Sequence, residues 1–188
     1  MDILTPDEGE LAVKIARETV EAVVQSKTPS LPHLPAIFSE KRGVFVTITK
    51  GGDLRGCIGF PYPVIPLKEG LPGAAASAAL EDPRFPPVRP HELSGLSIEV
   101  TVLTPPEPMT VPPLERPAHV IVGKHGLIVR FSGRSGLLLP QVATEYAWDS
   151  AVFLHHTCMK AGLPGDCWKN PAAEVLTFEG QIFHEQGT

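Results

Sequence analysis

The residue best suited to chemistry is Cys57, which lies in the hexad Leu-Arg-Gly-Cys-Ile-Gly at residues 54–59. On a β-strand, residues two apart project to the same face, which makes Arg55 and Cys57 predicted neighbours. A guanidinium beside a thiol favours the thiolate, the nucleophilic form of cysteine. Gly56 and Gly59 carry no side chains and so leave room for another group to approach closely. The hexad therefore predicts a nucleophile or a ligand contact at Cys57, and the alternative is a cysteine that only fills space in the core.

Polar residues elsewhere could complete a site around Cys57. A nucleophilic cysteine needs a proton acceptor within hydrogen-bond reach, and His125, in a predicted turn between two glycines, is one candidate. Arg55 could promote ionisation of the thiol and hold an anionic group. The other predicted ligand-binding residues, besides Gly56 and Gly59, are Arg84, Glu99, Gln141 and Glu145. These residue types leave open whether the site is catalytic or only binds a ligand.

The other two cysteines, Cys158 and Cys167, lie in the second half of the chain. His155 and Cys158 are three residues apart on a predicted helix and could form a metal site with Cys167. The spacing matches no recognised zinc pattern, however, and three cysteines in a chain without a leader favour reduced thiols. We therefore predict reduced cysteines and no metal. Neither a P-loop nor a G-x-G-x-x-G motif occurs, and we predict no cofactor.

Alternating and helical patterns indicate the elements that position these residues in the first half. A capping box at Thr5 opens an amphipathic helix over about residues 6–26. Two strands, at 44–49 and at the hexad, are joined through a Gly-Gly turn and form a hairpin. A helix rich in small residues follows near 67–80, and then a strand at 96–103 that carries Glu99 on its polar face.

The second half begins after a Pro-rich connection at residues 104–117. Strands are predicted at 119–122, 126–131 and 175–183, with a helix from Asp149 to Ala161. The hairpin at 126–139 resembles the first hairpin, and each is followed by a helix. An internal duplication would explain this likeness, and so would the general similarity of hairpins. The pattern predicts an α+β fold with lobes at about 1–103 and 118–188.

Composition excludes several classes of protein. The chain of 188 residues has 16 basic and 21 acidic residues and a net charge of −5, with no basic segment. This argues against nucleic acid and anionic membranes as partners. No apolar run approaches the roughly 20 residues of a membrane-spanning helix. The first eight residues lack the features of a signal peptide, which predicts a cytoplasmic protein.

The hexad also resembles the characteristic motif of the AMMECR domain family. Further stretches agree with that family in order and spacing over about residues 10–185, and they lie at 43–47, 82–87, 98–107, 123–128, 136–143, 148–149 and 160–169. The resemblance implies an α+β domain of two packed subdomains around antiparallel or mixed strands, with the hexad near the cleft between them. It implies no established reaction.

Two functions are compatible with the resemblance. In the first, the cleft binds a small molecule or a modified side chain, with Cys57 as the nucleophile. In the second, the protein is a non-catalytic adaptor. Microbial members of the family resemble one part of a predicted three-component system, which implies a Memo-like protein and a radical-SAM enzyme as partners. In that case the hexad would serve packing, and the Pro-rich loops at 61–66, 83–90 and 104–117 would present docking edges.

Overall fold

The computed structural model of the chain describes residues 3–185 and confirms the α+β fold. The α-helices are α1 (Pro6–Val24), α2 (Leu67–Leu80), α3 (Pro140–Glu145) and α4 (Ser150–Lys160). The strands are β1 (Val44–Lys50), β2 (Asp53–Phe60), β3 (Leu96–Leu103), β4 (Glu107–Pro108), β5 (Gly126–Phe131), β6 (Arg134–Leu138), β7 (Glu174–Phe178) and β8 (Gly180–His184). Short 3-10 helices lie at Ala36–Ser39, Pro90–Gly95, Pro113–His119 and Cys167–Lys169. No helix within the described residues is long and apolar enough to cross a membrane.

Helix α1 begins where the sequence predicts because both halves of its capping box form. The Thr5 hydroxyl accepts a hydrogen bond from the main-chain N–H of Glu8 at 3.3 Å, and the Glu8 carboxylate accepts one from the Thr5 N–H at 2.8 Å. These bonds satisfy donors that the first turn of a helix otherwise leaves unpaired. At the centre of the apolar stripe that follows, Ile15 and Val20 are completely buried.

The first unit of the chain is a four-stranded sheet with α1 and α2 packed on one face. The strand order is β2-β1-β3-β8, and β1 is antiparallel to both β2 and β3. Strand β1 alternates as predicted: Val44, Val46 and Ile48 are fully buried on the helix side, while Thr47 projects from the other face. The alternation of a half-buried strand thus separates the apolar core from a polar face of the sheet.

The second unit is a separate four-stranded sheet in the order β4-β7-β5-β6, with α4 packed against β5 and β6. Its core is formed by buried side chains of the sheet and of α4, among them Leu127, Val129, Phe153 and Leu154. Each unit thus contains a hairpin followed by a helix. The internal duplication remains a prediction.

The second unit spans Thr104–Gly180, whereas the second predicted lobe spans 118–188, so the two differ at both ends. Residues 181–185 belong to the first unit, because β8 is hydrogen-bonded to β3. The Pro-rich stretch from residue 104 belongs to the second unit, where β4 pairs with β7. The strand predicted at 119–122 was wrong: the carbonyl of Ile121 accepts hydrogen bonds from the N–H groups of Lys124 and His125, which closes a turn there.

The prediction of reduced cysteines was wrong for Cys158 and Cys167, which form a disulfide. Cys158 lies in the last turns of α4, and the chain then reverses at Gly162, whose φ of +71° suits a residue without a side chain. The reversal brings the two Cα atoms within 6.1 Å. The spacing of nine residues did not reveal this return. Because disulfide sulfurs are not thiolates, Cys158 and Cys167 are not available as metal ligands while this bond is formed.

Candidate functional site

Cys57 belongs to a row of polar residues on the face of the first sheet opposite the helices. Thr47 on β1 pairs with Cys57 on β2 and with Glu99 on β3. The Thr47 hydroxyl lies 3.3 Å from the Cys57 sulfur, close enough for a hydrogen bond in which either atom is the donor. At the far end of the row, the Glu99 carboxylate lies 3.4 Å from Nδ1 of His184. The thiol is free and half-buried.

A buried carboxylate holds the main chain at Cys57. Asp82 follows α2, and its side chain is 2% exposed. One of its oxygens accepts the N–H of Cys57 at 2.9 Å, and the other accepts the N–H of Arg84 at 3.0 Å. The hydrogen bond from the Arg84 side chain keeps the pKa of Asp82 far below its usual range, against the opposing effect of burial. Asp82 is therefore a charged link between β2 and the segment after α2.

Arg84 is the cation beside the Cys57 peptide unit. Its Nε and Nη2 donate to Asp82 at 3.0 and 2.8 Å, and Nη2 also lies 3.3 Å from the carbonyl oxygen of Cys57. The hydrogen bond to Asp82 raises the pKa of Arg84, burial opposes the shift, and attraction to Asp82 and to an ionised Cys57 adds to it. The side chain is nevertheless 54% exposed. Arg84 is thus fixed in position and still open to solvent.

The second predicted cation, Arg55, has its hydrogen bonds elsewhere. A β-bulge in β2, opposite Ile48 and Thr49, leaves Arg55 without a partner in β1. Its Nε and Nη2 donate to Glu92 at 3.2 and 3.0 Å, and Nη1 donates to the carbonyl of Pro86 at 2.9 Å. The hydrogen bond from Arg55 is the largest of the effects that lower the pKa of Glu92 to about 2. Arg55 therefore joins β2 to the segment around Glu92.

The two predicted glycines serve close packing. A Cβ atom at Gly56 would overlap the carbonyl oxygen of Ala78, so the missing side chain lets α2 lie directly on β2. A Cβ atom at Gly59 would overlap the ring of Phe45. Neighbouring protein atoms thus occupy the space that the sequence analysis left for another group.

The remaining predicted residues belong to the second unit. Gln141 and Glu145 are exposed positions of α3. His125 lies with Nε2 3.8 Å from the Glu179 carboxylate, and burial lowers the pKa of its imidazole. The first unit therefore brings together Cys57, Arg84 and the row that ends at Glu99. His125, Gln141 and Glu145 are positioned by elements of the second unit. No cluster of three or more His, Cys, Asp or Glu side chains suited to a metal occurs within residues 3–185.

Sequence reasoning missed three residues of this arrangement. Thr47 could have been found, because a two-residue turn at Gly51-Gly52 aligns the strands of a hairpin. Asp82 was visible only as part of a bend after a helix. His184 reaches the row through the pairing of β8 with β3, and no local pattern reveals such a pairing.

The chain is similar to known proteins along almost its entire length. A protein of Methanothermobacter thermautotrophicus is 55% identical over 187 residues, which cover 98% of this chain and 97% of that protein. Protein MK0488 of Methanopyrus kandleri is 50% identical, with coverage of 97% and 91%. The crystal structure of the uncharacterized protein PH0010 from Pyrococcus horikoshii superposes with a TM-score of 0.83 at 45% identity, covering 98% of this chain and 95% of that one. The family described as AMMECR1 matches residues 13–183. The chain therefore belongs to the AMMECR1 family.

Proposed function

We propose that the polar face around Cys57 binds a small molecule or a modified side chain and that the Cys57 thiol acts as its nucleophile. The observation that carries this proposal is the free, half-buried thiol whose N–H and carbonyl groups are both held, by Asp82 and Arg84. A side chain that only fills the core would be expected on the helix side of the sheet, where Val46 and Ile48 are fully buried.

The neighbours of the thiol suit a nucleophile. The positive charge of Arg84 stabilises a thiolate electrostatically, and the Thr47 hydroxyl can donate a hydrogen bond to it. The pair Glu99–His184 lies on the same face, on the far side of Thr47 from the thiol, and suits proton exchange with a ligand that extends along the row. In this proposal Cys57 loses its thiol proton to solvent, and Arg84 favours the resulting thiolate. The sulfur then bonds to an electrophilic carbon of the ligand, the electron pair of the bond broken at that carbon leaves with its other atom, and the pair Glu99–His184 protonates that atom. The additional roles predicted for Gln141 and Glu145 remain predictions.

Alkylation of the non-reduced protein tests the proposal directly. Because Cys158 and Cys167 form a disulfide, iodoacetamide can label only Cys57, and Cys57→Ser gives the blank. We expect labelling of the folded protein, read by mass spectrometry across a pH series, with a rate slowed by Arg84→Gln. Labelling that occurs only after denaturation would show a core cysteine and would contradict the proposal.

A specific observation also favours the adaptor function. Two large apolar side chains in the Pro-rich loops are highly exposed, Val64 at 65% and Leu114 at 75%. Rigid loops that display apolar residues suit docking to another protein, and the resemblance suggests a Memo-like or a radical-SAM partner. Co-purification with each of these two proteins from the same genome tests this function. Binding that Leu114→Ser abolishes and Cys57→Ser preserves would favour the adaptor, whereas no binding to either protein would reject it.

A further inference from the structure

We infer that the ligand of the Cys57 site carries an anionic oxygen group, a carboxylate or a phosphate, and that Arg84 holds it. This inference rests on the proposed function, because it names the class of ligand that the same site would bind. It assigns to Arg84 the anion-binding role that the sequence suggested for Arg55.

The first argument is the hydrogen bonding of the Arg84 guanidinium. Its Nε and Nη2 are bound to Asp82, which fixes the plane of the group. Within residues 3–185, Nη1 has no hydrogen-bond partner, although the side chain is 54% exposed. An arginine that is held on one edge and open on the other is already oriented for an anion. It therefore loses little side-chain entropy when the anion binds.

The second argument is a contrast between two arginines. All three guanidinium nitrogens of Arg55 donate to protein acceptors, and only 13% of its side chain is exposed. An anion at Arg55 would have to displace Glu92 or the Pro86 carbonyl. At Arg84 it would displace only solvent from Nη1, because Asp82 keeps the other donors.

The third argument is the distribution of charge around Cys57. The chain as a whole carries a net charge of −5. The side chains that are hydrogen-bonded around β2 and residues 82–92, in contrast, include more cations than carboxylates: Lys50, Arg55 and Arg84 against Asp82 and Glu92. On the other side of Cys57 the row ends at the acid Glu99. An anionic group is therefore favoured on the Arg84 side of the thiol and disfavoured over β3.

Two alkylating agents that differ in charge test the inference with the full chain. Iodoacetate and iodoacetamide both form a bond from the Cys57 sulfur to carbon and release iodide, but only iodoacetate carries a carboxylate. The measured quantity is the ratio of their rates at Cys57, divided by the same ratio for N-acetylcysteine. We expect this normalised ratio to exceed one, to fall about two- to fivefold in Arg84→Gln, and to decrease with added salt, as for an exposed ion pair.

The matched control is Arg89→Gln, which removes the same charge from an exposed position five residues further along the same segment. We expect it to change the ratio much less than Arg84→Gln, because Arg89 acts only through its long-range field. Thermal unfolding of each variant verifies that it is folded. Protection of Cys57 from iodoacetamide by inorganic phosphate, compared with acetate, then identifies which anion the site prefers.

The outcomes separate this inference from the proposed function. If both agents label Cys57 readily and Arg84→Gln leaves the ratio unchanged, the anion site is rejected and the reactive thiol stands. An equal fall in Arg84→Gln and Arg89→Gln would also reject it, because it would indicate a general field. If neither agent labels the folded protein, the nucleophile itself is rejected, and the anion site with it.

Discussion

The buried carboxylate of Asp82 accepts a 2.9 Å hydrogen bond from the main-chain N–H of Cys57. The same carboxylate accepts three hydrogen bonds from Arg84, one from its main chain and two from its side chain. A single side chain thus fixes both the backbone of the free cysteine and the guanidinium next to it. The geometry around the thiol depends on this residue, although Asp82 itself is closed off from solvent.

Replacing Asp82 should therefore destabilise the first unit. In Asp82→Asn the charge is lost and an NH₂ group faces donors that need an acceptor. We expect a loss of about 2 kcal/mol in the free energy of unfolding, because hydrogen bonds to charged groups contribute more than neutral ones. Urea unfolding measures the loss, with the exposed Glu145→Gln as the control. A loss no larger than that of the control would show that the link is not important for stability.

Stability should fall at acidic pH because of Glu92 and Asp82. The folded-state pKa of Glu92 is about 2, and the pKa of Asp82 is lowered as well, so both lie below the value of about 4 for a carboxyl in an unfolded chain. Such groups stabilise the fold fully above about pH 5, and this stability is lost as the pH falls through the folded pKa. Urea midpoints between pH 6 and pH 3 should therefore decrease.

The variant Glu92→Gln isolates one of these two contributions. It should be less stable than the wild type at pH 6 and should lose less stability on acidification, because it lacks one of the shifted carboxyls. Glu145→Gln, at an exposed position of α3, is the control. Parallel curves for Glu92→Gln and the wild type would contradict the assignment.

The disulfide should stabilise the second unit. It closes a loop of nine residues in the chain, and loop-closure entropy for that length corresponds to about 2–3 kcal/mol. We expect reduction with dithiothreitol to lower the urea midpoint by a shift that corresponds to this free energy. Reduction should also raise the number of titratable thiols from one to three. In Cys158→Ala/Cys167→Ala the reductant should have no effect, and a midpoint equal to that of the oxidised wild type would contradict a stabilising role.

Gly56 should not tolerate a side chain. A methyl group there would overlap the main-chain carbonyl of Ala78, and neither α2 nor β2 can shift without disturbing the core. We expect Gly56→Ala to cost at least about 2 kcal/mol of unfolding free energy, in the range seen for overpacked cores. Gly95→Ala is the matched control, because nothing lies within 4 Å of a Cβ atom at that position. Similar stabilities of the two variants would show that the close contact is relieved at little cost.

Local signals in the sequence predicted much of the fold and drew attention to one residue of the candidate site. The capping box at Thr5, the alternation of β1 and the Gly-Gly turn each depend on residues a few positions apart, and each was confirmed. The family and the α+β class follow from such patterns as well. Cys57 was identified by its own motif, and it is the free thiol of the structure.

The tertiary structure decided which residues surround that thiol. Asp82 reaches Cys57 across 25 positions of the chain, and a bulge opposite Ile48 and Thr49 leaves Arg55 hydrogen-bonded to Glu92. It also decided that α4 and the following turn bring Cys158 to Cys167. These three contacts are set by hydrogen bonds, by packing and by the return of the chain at a turn. They depend on how distant segments meet in space, whereas the sequence by itself determined the segments.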